Sequence, residues 1–369
     1  MNSYQKALKD RKKQNLLRTL PLLPDGIDFY SNDYLGFAQN ANLKLTIESE
    51  CKEAPIENGA TGSRLLSGNS EYAERVEERI AEFHNAEAAL IYPSGYTANL
   101  GLISSLATRD TTLICDELIH ASLIDGARLG KSERVRFKHN QVYDLASKLE
   151  KTSGQKLVIV ESIYSMDGDT CPLEKVSILC DEHDALLIVD EAHAIGIFGE
   201  NGSGLVQELG LENKVMARIM TYGKAPGIHG AAVVGPKWLK EYQTNFSRSL
   251  IFSTAPTPHR FASIAGMYSF LPKSNNDRKQ LSEIVAYFIN KRKEHSDDWL
   301  VSESHIQSFI VSGNAEVIAV SEKLKEAGIN ALPIRKPSVP EGKERIRFCL
   351  HSYNTKEEID LLFKTLTSP

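Results

Sequence analysis

Apolar residues in this chain form two kinds of pattern, short continuous runs and longer helical repeats. Between residues 88 and 235 the continuous runs are AALIY, TTLIC, KLVIV, ALLIV, RIM and AAVV, and amphipathic stretches separate them. Short runs of this kind are typical of strands buried on both faces, and helices between such strands indicate a parallel sheet covered on both sides. We therefore predict an α/β fold with a mostly parallel or mixed central sheet and helices on both faces.

The two ends of the chain have a different pattern. Residues 2–17 and 70–85 have the periodicity of amphipathic helices, the second with Ser70 as its N-cap, and GIDFYS favours a short strand. After residue 255 a helix-rich stretch precedes the strand, helix, strand, strand, helix order of a small α+β domain. The predicted parts are an N-terminal segment (1–40), a large domain (41–255) and a small C-terminal α+β domain (256–369).

Composition narrows the class of protein. The chain has 369 residues, 41% hydrophobic and 25% charged, with a net charge of −5, which is ordinary for a globular protein. It has no stripe of Lys and Arg, so no nucleic acid partner is expected. Five scattered cysteines without a C-x-x-C pair indicate reduced thiols rather than disulfides or a metal site. No run reaches the ~20 apolar residues of a membrane span, so we expect a cytoplasmic protein that does not bind membranes.

Polar residues with chemical potential follow the predicted strands. They are Asp116, Ser165, Asp190, His193 and Lys224. In sheets of this kind the ligand site forms at the carboxyl ends of the strands. Each position also has an ordinary interpretation: Lys224 as a solvated surface lysine, Asp190 as a helix cap, and His193 as a structural histidine.

Two glycine-containing turns are candidate anion sites. In IYPSGYTANLG, Gly95 and Tyr96 stand where a strand turns into a helix, and the free N–H groups of a helix start bind anions. IFGENGSG (197–204) also resembles a phosphate loop, but no strand leads straight into it, which favours a surface turn. Neither turn fits the P-loop spacing G-x-x-x-x-G-K-[ST], and the one G-K-S, at residues 130–132, has Asp125 where the first glycine of that motif would stand. A nucleotide-binding P-loop protein is therefore disfavoured.

One cofactor accounts for these groups together. An aromatic aldehyde with a pyridine nitrogen and a phosphate needs a lysine for an imine, an acid for the ring nitrogen and a helix N-terminus for the phosphate. It also needs a histidine to stack on the ring. Pyridoxal 5'-phosphate has these properties, and Lys224 in TYGKAPGIHGAAVVG is the candidate for its imine.

Ordered motifs extend over nearly the whole chain. They are SNDYLGF (31–37), GATGSRLLSGN (59–69), SGYTAN (94–99), HASLIDG (120–126), SMDGD (165–169), VDEAHAIGIFGENGSG (189–204), TYGKAPGIHGAAV (221–233), FSTA (252–255), PSVP (337–340) and RIRFCL (345–350). This series resembles the α-oxoamine synthases, which are fold-type I pyridoxal phosphate enzymes. The resemblance implies an acyltransferase that joins an amino acid to an acyl thioester with loss of carbon dioxide.

The resemblance also implies a role for each matching residue. Lys224 holds the cofactor and then takes the substrate α-proton, Asp190 pairs with the ring nitrogen, and His193 bonds the phenolic oxygen. His120 stacks on the ring beside the substrate. The other implied cofactor ligands are Gly95, Tyr96, Ser165, Thr221 and Thr254, the last acting on the second subunit of a homodimer. The implied substrate ligands are Arg347 for the amino acid carboxylate, Asn32 near the substrate, and Arg18 and Ser338 on the acyl side.

Substrate choice is predicted from softer features. The short N-terminal helix with Arg18, the compact length, SNDYLG and IFSTAPTP favour members that condense L-alanine with pimeloyl-CoA or pimeloyl-acyl carrier protein. The alternatives are 2-amino-3-ketobutyrate CoA ligase, serine palmitoyltransferase, 5-aminolevulinate synthase or a non-catalytic protein of the same fold. The chain departs from the α-oxoamine synthase pattern at two places. Ser338 stands where these enzymes more usually have threonine, and FKHNQ (137–141) lacks the acid that commonly follows its Asn, so the acyl substrate stays open.

Overall fold

The computed structural model describes residues 2–20, 22, 25–295 and 298–368. The strands in these residues are β1 (Ile27–Asp28), β2 (Ala88–Tyr92), β3 (Thr111–Asp116), β4 (Glu133–Phe137), β5 (Gln155–Glu161), β6 (Ala185–Asp190), β7 (Ala217–Thr221), β8 (Ala231–Gly235), β9 (Ile306–Ile310), β10 (Ile329–Asn330), β11 (Pro333–Ile334) and β12 (Arg345–Cys349).

The same residues form helices along most of the chain. The α-helices are α1 (Ser3–Lys13), α2 (Ala41–Glu50), α3 (Glu71–Phe83), α4 (Gly95–Leu106), α5 (Ala121–Leu129), α6 (Val142–Lys151), α7 (Leu173–Glu182), α8 (Leu205–Glu208), α9 (Lys237–Phe246), α10 (Arg248–Ile251), α11 (Pro258–Phe270), α12 (Asn275–Lys293), α13 (Asn314–Glu326) and α14 (Lys356–Thr367). Short 3-10 helices lie at Phe37–Gln39 and Leu271–Lys273.

Close contacts divide the chain into two compact units. The sheet unit consists of Leu35–Tyr164 and Thr170–Arg278, and the terminal unit consists of Met1–Tyr34, Ser165–Asp169 and Lys279–Pro369. These units are defined by close contacts between residues and do not test the predicted domain boundaries. The boundaries at residues 40 and 255 therefore stay a prediction.

A seven-stranded mixed sheet forms the centre of the sheet unit. Its strand order is β2-β8-β7-β6-β5-β3-β4, in which β8 is antiparallel to both neighbours and the other pairs are parallel. Strands β2 and β3 are buried along their whole length, as expected for a sheet covered on both faces. The mutually parallel strands β3, β5, β6 and β7 have their carboxyl ends on the same side of the sheet. Their last residues are Asp116, Glu161, Asp190 and Thr221. The predicted α/β class is therefore confirmed.

The terminal unit contains two small sheets. Strands β11, β12 and β9 form an antiparallel sheet, and β1 pairs with β10 in parallel. Its core is aromatic, since Trp299 packs against Phe288, Phe348 and Phe363 with ring centroids 5.3 to 5.6 Å apart. After residue 300 the observed order is strand, helix, three strands and helix, one short strand more than predicted, and the N-terminal strand β1 pairs with the first of these three, β10.

The local predictions hold where the apolar pattern is strong. The helix expected at 70–85 is α3, and Ser70 caps it by accepting from the Ala73 amide at 3.1 Å. The strand β4 was missed, because ERVRF is polar and exposed along most of an edge strand. Among the described residues, no helix combines the length and apolar character that crossing a bilayer requires.

Candidate active site

Lys224 lies on a tight turn just after β7. Its Nζ atom is 2.8 Å from Nε2 of His193, so the amine and the imidazole form a hydrogen bond. Gly227 closes the turn by donating to the carbonyl of Lys224, with φ at +69°. A β-carbon on Gly227 would lie 2.5 Å from the amide nitrogen of Ala38, so only glycine fits this close approach. The lysine is therefore held by a fixed turn.

Asp190 ends β6 and is almost fully buried, with 4% of its surface exposed. Its Oδ1 accepts from the Ala192 amide at 2.9 Å, and its Oδ2 accepts from Nδ2 of Asn99 at 2.7 Å. These two donors fix the direction of the carboxylate. Such an acid can pair with a protonated ring nitrogen.

The start of helix α4 forms a cradle beside the end of β7. Ser94 caps the helix by accepting from the Thr97 amide at 3.3 Å, and the amides of Gly95 and Tyr96 form the first turn. The earliest amides of a helix have no acceptor within it, so they can bind a phosphate. A β-carbon on Gly95 would lie 2.3 Å from Oγ1 of Thr221, which brings that hydroxyl next to the helix start.

His120 is linked to Asp190 through two polar side chains. Its Nδ1 lies 2.7 Å from Oγ of Ser122, and the Ser122 amide donates to the same nitrogen at 3.2 Å. Asn99 donates to both Oγ of Ser122, at 2.9 Å, and Asp190. Partial burial lowers the pKa of His120, against the charge of Asp190, which raises it, and the charge of Lys224 lowers it further. The result is a neutral imidazole ring with a fixed orientation.

Glu161 is a buried acid at the same edge of the sheet. It is the register partner of Asp190, and its Oε1 accepts from the His120 amide at 2.5 Å. Burial, with the added charge of Asp190, raises the pKa of Glu161 to about 8. Glu161 is therefore protonated at neutral pH, and it positions the backbone of His120.

A second cluster of predicted site residues lies in the terminal unit. Arg347 donates through Nη1 to the carbonyl of Ser165 at 2.9 Å and through Nη2 to Oδ1 of Asn32 at 3.0 Å. Tyr34 donates to the same amide oxygen at 2.9 Å. The guanidinium group is a planar fork that can bind a carboxylate through two hydrogen bonds. The contacts with Ser165 and Asn32 fix its orientation.

The remaining predicted residues are more exposed. Arg18 donates to Oγ of Ser338 at 3.2 Å, so these two lie together in the terminal unit. Thr254 is exposed on the sheet unit, where the next residue, Ala255, donates to the carbonyl of Gly62. The assigned roles of these residues stay predictions.

Two features named from the sequence have structural roles. Asp116 is fully buried, and it accepts from the amides of Leu118 and Asn140 and from His139 at 2.8 to 2.9 Å. The glycine-rich loop 197–204 leads into α8, whose first amides, at Leu205 and Val206, donate to the buried carboxylate of Glu191. This arrangement agrees with the surface turn favoured over a phosphate loop.

Sequence reasoning missed three residues of the site. Asn99 and Ser122 lie inside the SGYTAN and HASLIDG motifs, but their spacing gives no sign that they connect two strand ends. Glu161 carries a readable signal, since it is an acid at the end of an apolar strand, as Asp190 is. The long-range pairing of β5 with β6 brings Glu161 and Asp190 side by side, and no local pattern encodes that pairing.

The sheet-unit cluster fits pyridoxal 5'-phosphate. Lys224 offers an amine for the aldehyde, and Asp190 offers an acid for the ring nitrogen. The cradle at Gly95, which a β-carbon would fill, offers helix amides and the Thr221 hydroxyl for the phosphate. His193 lies 2.8 Å from the lysine amine.

Comparisons with known proteins identify the family of this chain. The model of the family described as aminotransferase class I and II matches residues 24–366. The 8-amino-7-oxononanoate synthases of Marinobacter nauticus and Emericella nidulans are 35% and 37% identical, over 99% and 100% of this chain and 96% and 95% of theirs.

Solved structures point the same way. Serine palmitoyltransferase from Sphingomonas wittichii has a TM-score of 0.86 and 30% identity, over 92% of this chain and 86% of that one. An 8-amino-7-oxononanoate synthase from Francisella tularensis has a TM-score of 0.79 and 28% identity, over 92% and 96% of the two chains. The chain therefore belongs to the aminotransferase class I and II family and, within it, to the pyridoxal phosphate-dependent α-oxoamine synthases.

Proposed function

We propose that this enzyme condenses L-alanine with a pimeloyl thioester, carried on coenzyme A or acyl carrier protein. The products are 8-amino-7-oxononanoate, carbon dioxide and the free thiol, which makes the reaction a step of biotin biosynthesis. Full-length relatives bearing the name 8-amino-7-oxononanoate synthase support this choice of substrates. One observation supports the chemistry most strongly: Lys224 and His193 form a hydrogen bond. Both residues follow strands of the central sheet, and Asp190 ends the strand β6.

Pyridoxal phosphate, when bound, supplies an electron sink for the electron pair left at the substrate α-carbon. Lys224 would hold its aldehyde carbon, and Nζ of Lys224 would later take the α-proton of the amino acid. Asp190 would keep a proton on the ring nitrogen, with Asn99 fixing the carboxylate that holds it. His193 would donate to the phenolic oxygen and orient the lysine amine.

Other residues would bind the ring and phosphate of the cofactor and exclude water from the ring. The neutral ring of His120, fixed through Ser122, would stack on the cofactor and keep water from its face. The amides of Gly95 and Tyr96 and the hydroxyl of Thr221 would bind the phosphate, and Ser165 would lie beside the ring.

The substrate groups would bind to the terminal unit. Arg347 would hold the alanine carboxylate, with the amide of Asn32 beside it, because the fork of Arg347 is already oriented by two hydrogen bonds. Arg18 and Ser338, which contact each other, would line the acyl side.

A homodimer with shared active sites is part of this proposal. Large apolar side chains are exposed close to Thr254, notably Leu66 at 82% and Phe252 at 71%. The loop that carries Leu66 packs on the segment after Phe252, since Ala255 donates to Gly62 at 2.9 Å. Covering this surface with a second copy would bury apolar area, and it would bring Thr254 to the partner's phosphate.

A cytoplasmic location is also proposed. All five cysteines are free thiols, and four of them are buried, which fits a reducing compartment.

The proposed reaction can be tested by mass spectrometry of the product. The enzyme loaded with pyridoxal phosphate is mixed with alanine, glycine or serine and with pimeloyl-CoA, pimeloyl-acyl carrier protein, palmitoyl-CoA or succinyl-CoA. We expect 8-amino-7-oxononanoate from alanine and a pimeloyl donor, and little product from the other pairs. A larger yield from serine and palmitoyl-CoA would favour a serine palmitoyltransferase, the other activity named among the structural neighbours.

A further inference from the structure

Strand β12 carries two arginines on one face of its sheet. Arg345 and Arg347 are two residues apart, so both side chains lie on the same face of the strand. Ile346 and Phe348 lie on the other face and are fully buried. Ser308 of β9 is the register partner of Arg347, and its hydroxyl lies on the face of the two arginines. This face therefore combines two cations with a hydroxyl donor.

The segment of residues 165–169 is bound to this face by its carbonyl groups. Arg347 donates through Nη1 to the carbonyl oxygen of Ser165 at 2.9 Å. Ser308 donates to the next carbonyl oxygen, that of Met166, at 2.7 Å. Both bonds come from side chains, so β9 and β12 hold this part of the segment through the side chains of Ser308 and Arg347.

An ion pair anchors the middle of the segment. Nη1 of Arg345 lies 2.6 Å from Oδ1 of Asp167 and 3.2 Å from the carbonyl oxygen of Met166. The side chain of Arg345 is 5% exposed and that of Asp167 is 24% exposed, so water screens this pair weakly. A charge-assisted hydrogen bond of this length is among the stronger polar contacts in proteins.

The end of the segment is equally constrained. Ser302 and Ser304 both donate to the carbonyl oxygen of Gly168, at 2.8 and 2.6 Å. Gly168 has φ of +77°, and a β-carbon there would lie 2.1 Å from the carbonyl oxygen of Ile306. These contacts hold one end of the segment, and the ion pair fixes the part next to Ser165.

We propose that Asp167 and Arg345 are a positioning pair for the amino acid carboxylate site. They hold the carbonyl of Ser165 where it orients Nη1 of Arg347, while Asn32 orients Nη2. A fork held in two places loses little rotamer freedom when it binds a carboxylate. This inference rests on the proposed function, in which Arg347 binds the carboxylate of alanine.

The test compares two ligands that differ only in the carboxylate. L-Alanine and L-alaninol are titrated into the enzyme loaded with pyridoxal phosphate, and the absorbance change of the bound cofactor gives each dissociation constant. Asp167→Asn keeps the size of the side chain and removes its charge. We expect its affinity for L-alanine to fall by about five- to ten-fold, the effect of losing one charge-assisted contact, with the affinity for L-alaninol unchanged.

Other variants separate positioning from damage to the fold. Asp167→Glu, which keeps the charge, should restore part of the affinity for L-alanine. Glu283→Gln removes a carboxylate from an exposed ion pair with Lys279 in the same unit and should change neither affinity. Should Asp167→Asn fold poorly, Arg345→Lys tests the same contact, because the lysine side chain ends one bond short of the Nη1 position that contacts Met166 and Asp167.

The possible failures can be told apart. An equal loss of affinity for both ligands, or no loss for either, would overturn the positioning role while leaving the role of Arg347 intact. Unchanged discrimination between the two ligands in Arg347→Ala would instead remove the carboxylate role of Arg347, and the inference with it. The product assay on the wild type tests the proposed reaction separately from both.

Discussion

Asn99 binds Asp190 directly, through a hydrogen bond of 2.7 Å from Nδ2 to Oδ2. The same nitrogen donates to Oγ of Ser122, which contacts His120. One helix residue thus connects the acid proposed to hold the ring nitrogen with the histidine proposed to stack on the ring. Because Asn99 is 3% exposed, water cannot easily replace it.

Removing that connection should impair the chemistry more than the fold. Asn99→Ala leaves the buried carboxylate of Asp190 with one donor fewer, and we expect kcat to fall about ten-fold, the effect of about 1.4 kcal/mol. Asn99→Asp should be worse, since a second carboxylate would face Asp190. Steady-state kinetics and cofactor content check this, with Asn245→Ala on helix α9 as the control. Wild-type kcat in Asn99→Ala would contradict the role.

The cradle at Gly95 should not tolerate a side chain. Gly95→Ala places a β-carbon 2.3 Å from Oγ1 of Thr221, so the helix start or the threonine must shift. We expect the dissociation constant of pyridoxal phosphate to rise at least ten-fold, measured by equilibrium dialysis. Gly59→Ala is the matched control, since its β-carbon would meet no atom within 4 Å.

A double variant makes the same prediction sharper. Gly95→Ala should lower the thermal midpoint, because its β-carbon clashes with Oγ1 of Thr221. Adding Thr221→Ala removes that oxygen, so the thermal midpoint should return toward the wild-type value. Cofactor affinity should stay low, because the threonine hydroxyl is then absent. Full recovery of affinity would show that Thr221 does not bind the phosphate.

Stability should depend on pH through Glu191. Burial raises its pKa from 4.5 to about 7, against the opposing charge of Arg218. The folded protein therefore binds this proton more tightly than the unfolded chain. The resulting stabilisation is complete below pH 4.5, and it is lost as the pH rises through 7. Each pKa unit is worth about 1.4 kcal/mol, so the loss is on the order of 3 kcal/mol.

Glu191→Gln isolates that term. Glutamine keeps an acceptor for the amides of Leu205 and Val206, which both bind one oxygen of Glu191. The thermal midpoint of the wild type should fall between pH 5 and pH 8 by more than that of the variant. Glu161, with its pKa raised to about 8, contributes equally to both proteins. Identical pH profiles would contradict the prediction.

The proposed dimer predicts an effect of charge at its apolar surface. Phe252→Glu and Leu66→Glu place carboxylates on side chains that are 71% and 82% exposed in the single chain. We expect light scattering to give half the wild-type mass, with loss of cofactor from sites that need Thr254 of a second copy. Tyr143→Glu, at a position 92% exposed on helix α6, should leave the mass unchanged. A dimer that survives both substitutions would place the interface elsewhere.

Much of this protein is readable from its sequence for a physical reason. Buried strands such as β3 and β5 are continuous apolar runs, so their existence and the α/β class follow from the pattern of apolar residues along the chain. The polar residues that follow parallel strands lie on the same side of the sheet. The sequence therefore predicts that Asp190 and Lys224 belong to one site. Strand β4 escaped prediction because an exposed edge strand has no apolar run.

The finer geometry depends on contacts between residues far apart in the chain. Asn99 and Asp190 are 91 residues apart, and Arg345 and Asp167 are 178 apart. Neither pair has a spacing that a helix or a strand would repeat. Only the strand order and register bring these residues together, so their roles could not be predicted from the sequence.

Borohydride reduction followed by peptide mass spectrometry tests the central claim most directly. The protein is loaded with pyridoxal phosphate and reduced, which makes a link between the cofactor and a lysine permanent. Digestion and sequencing of the labelled peptide then identify that lysine. We predict a single modified residue, Lys224, in the peptide that contains TYGKAPG. Label on another lysine, or spread over several surface lysines, would contradict the assignment of this site.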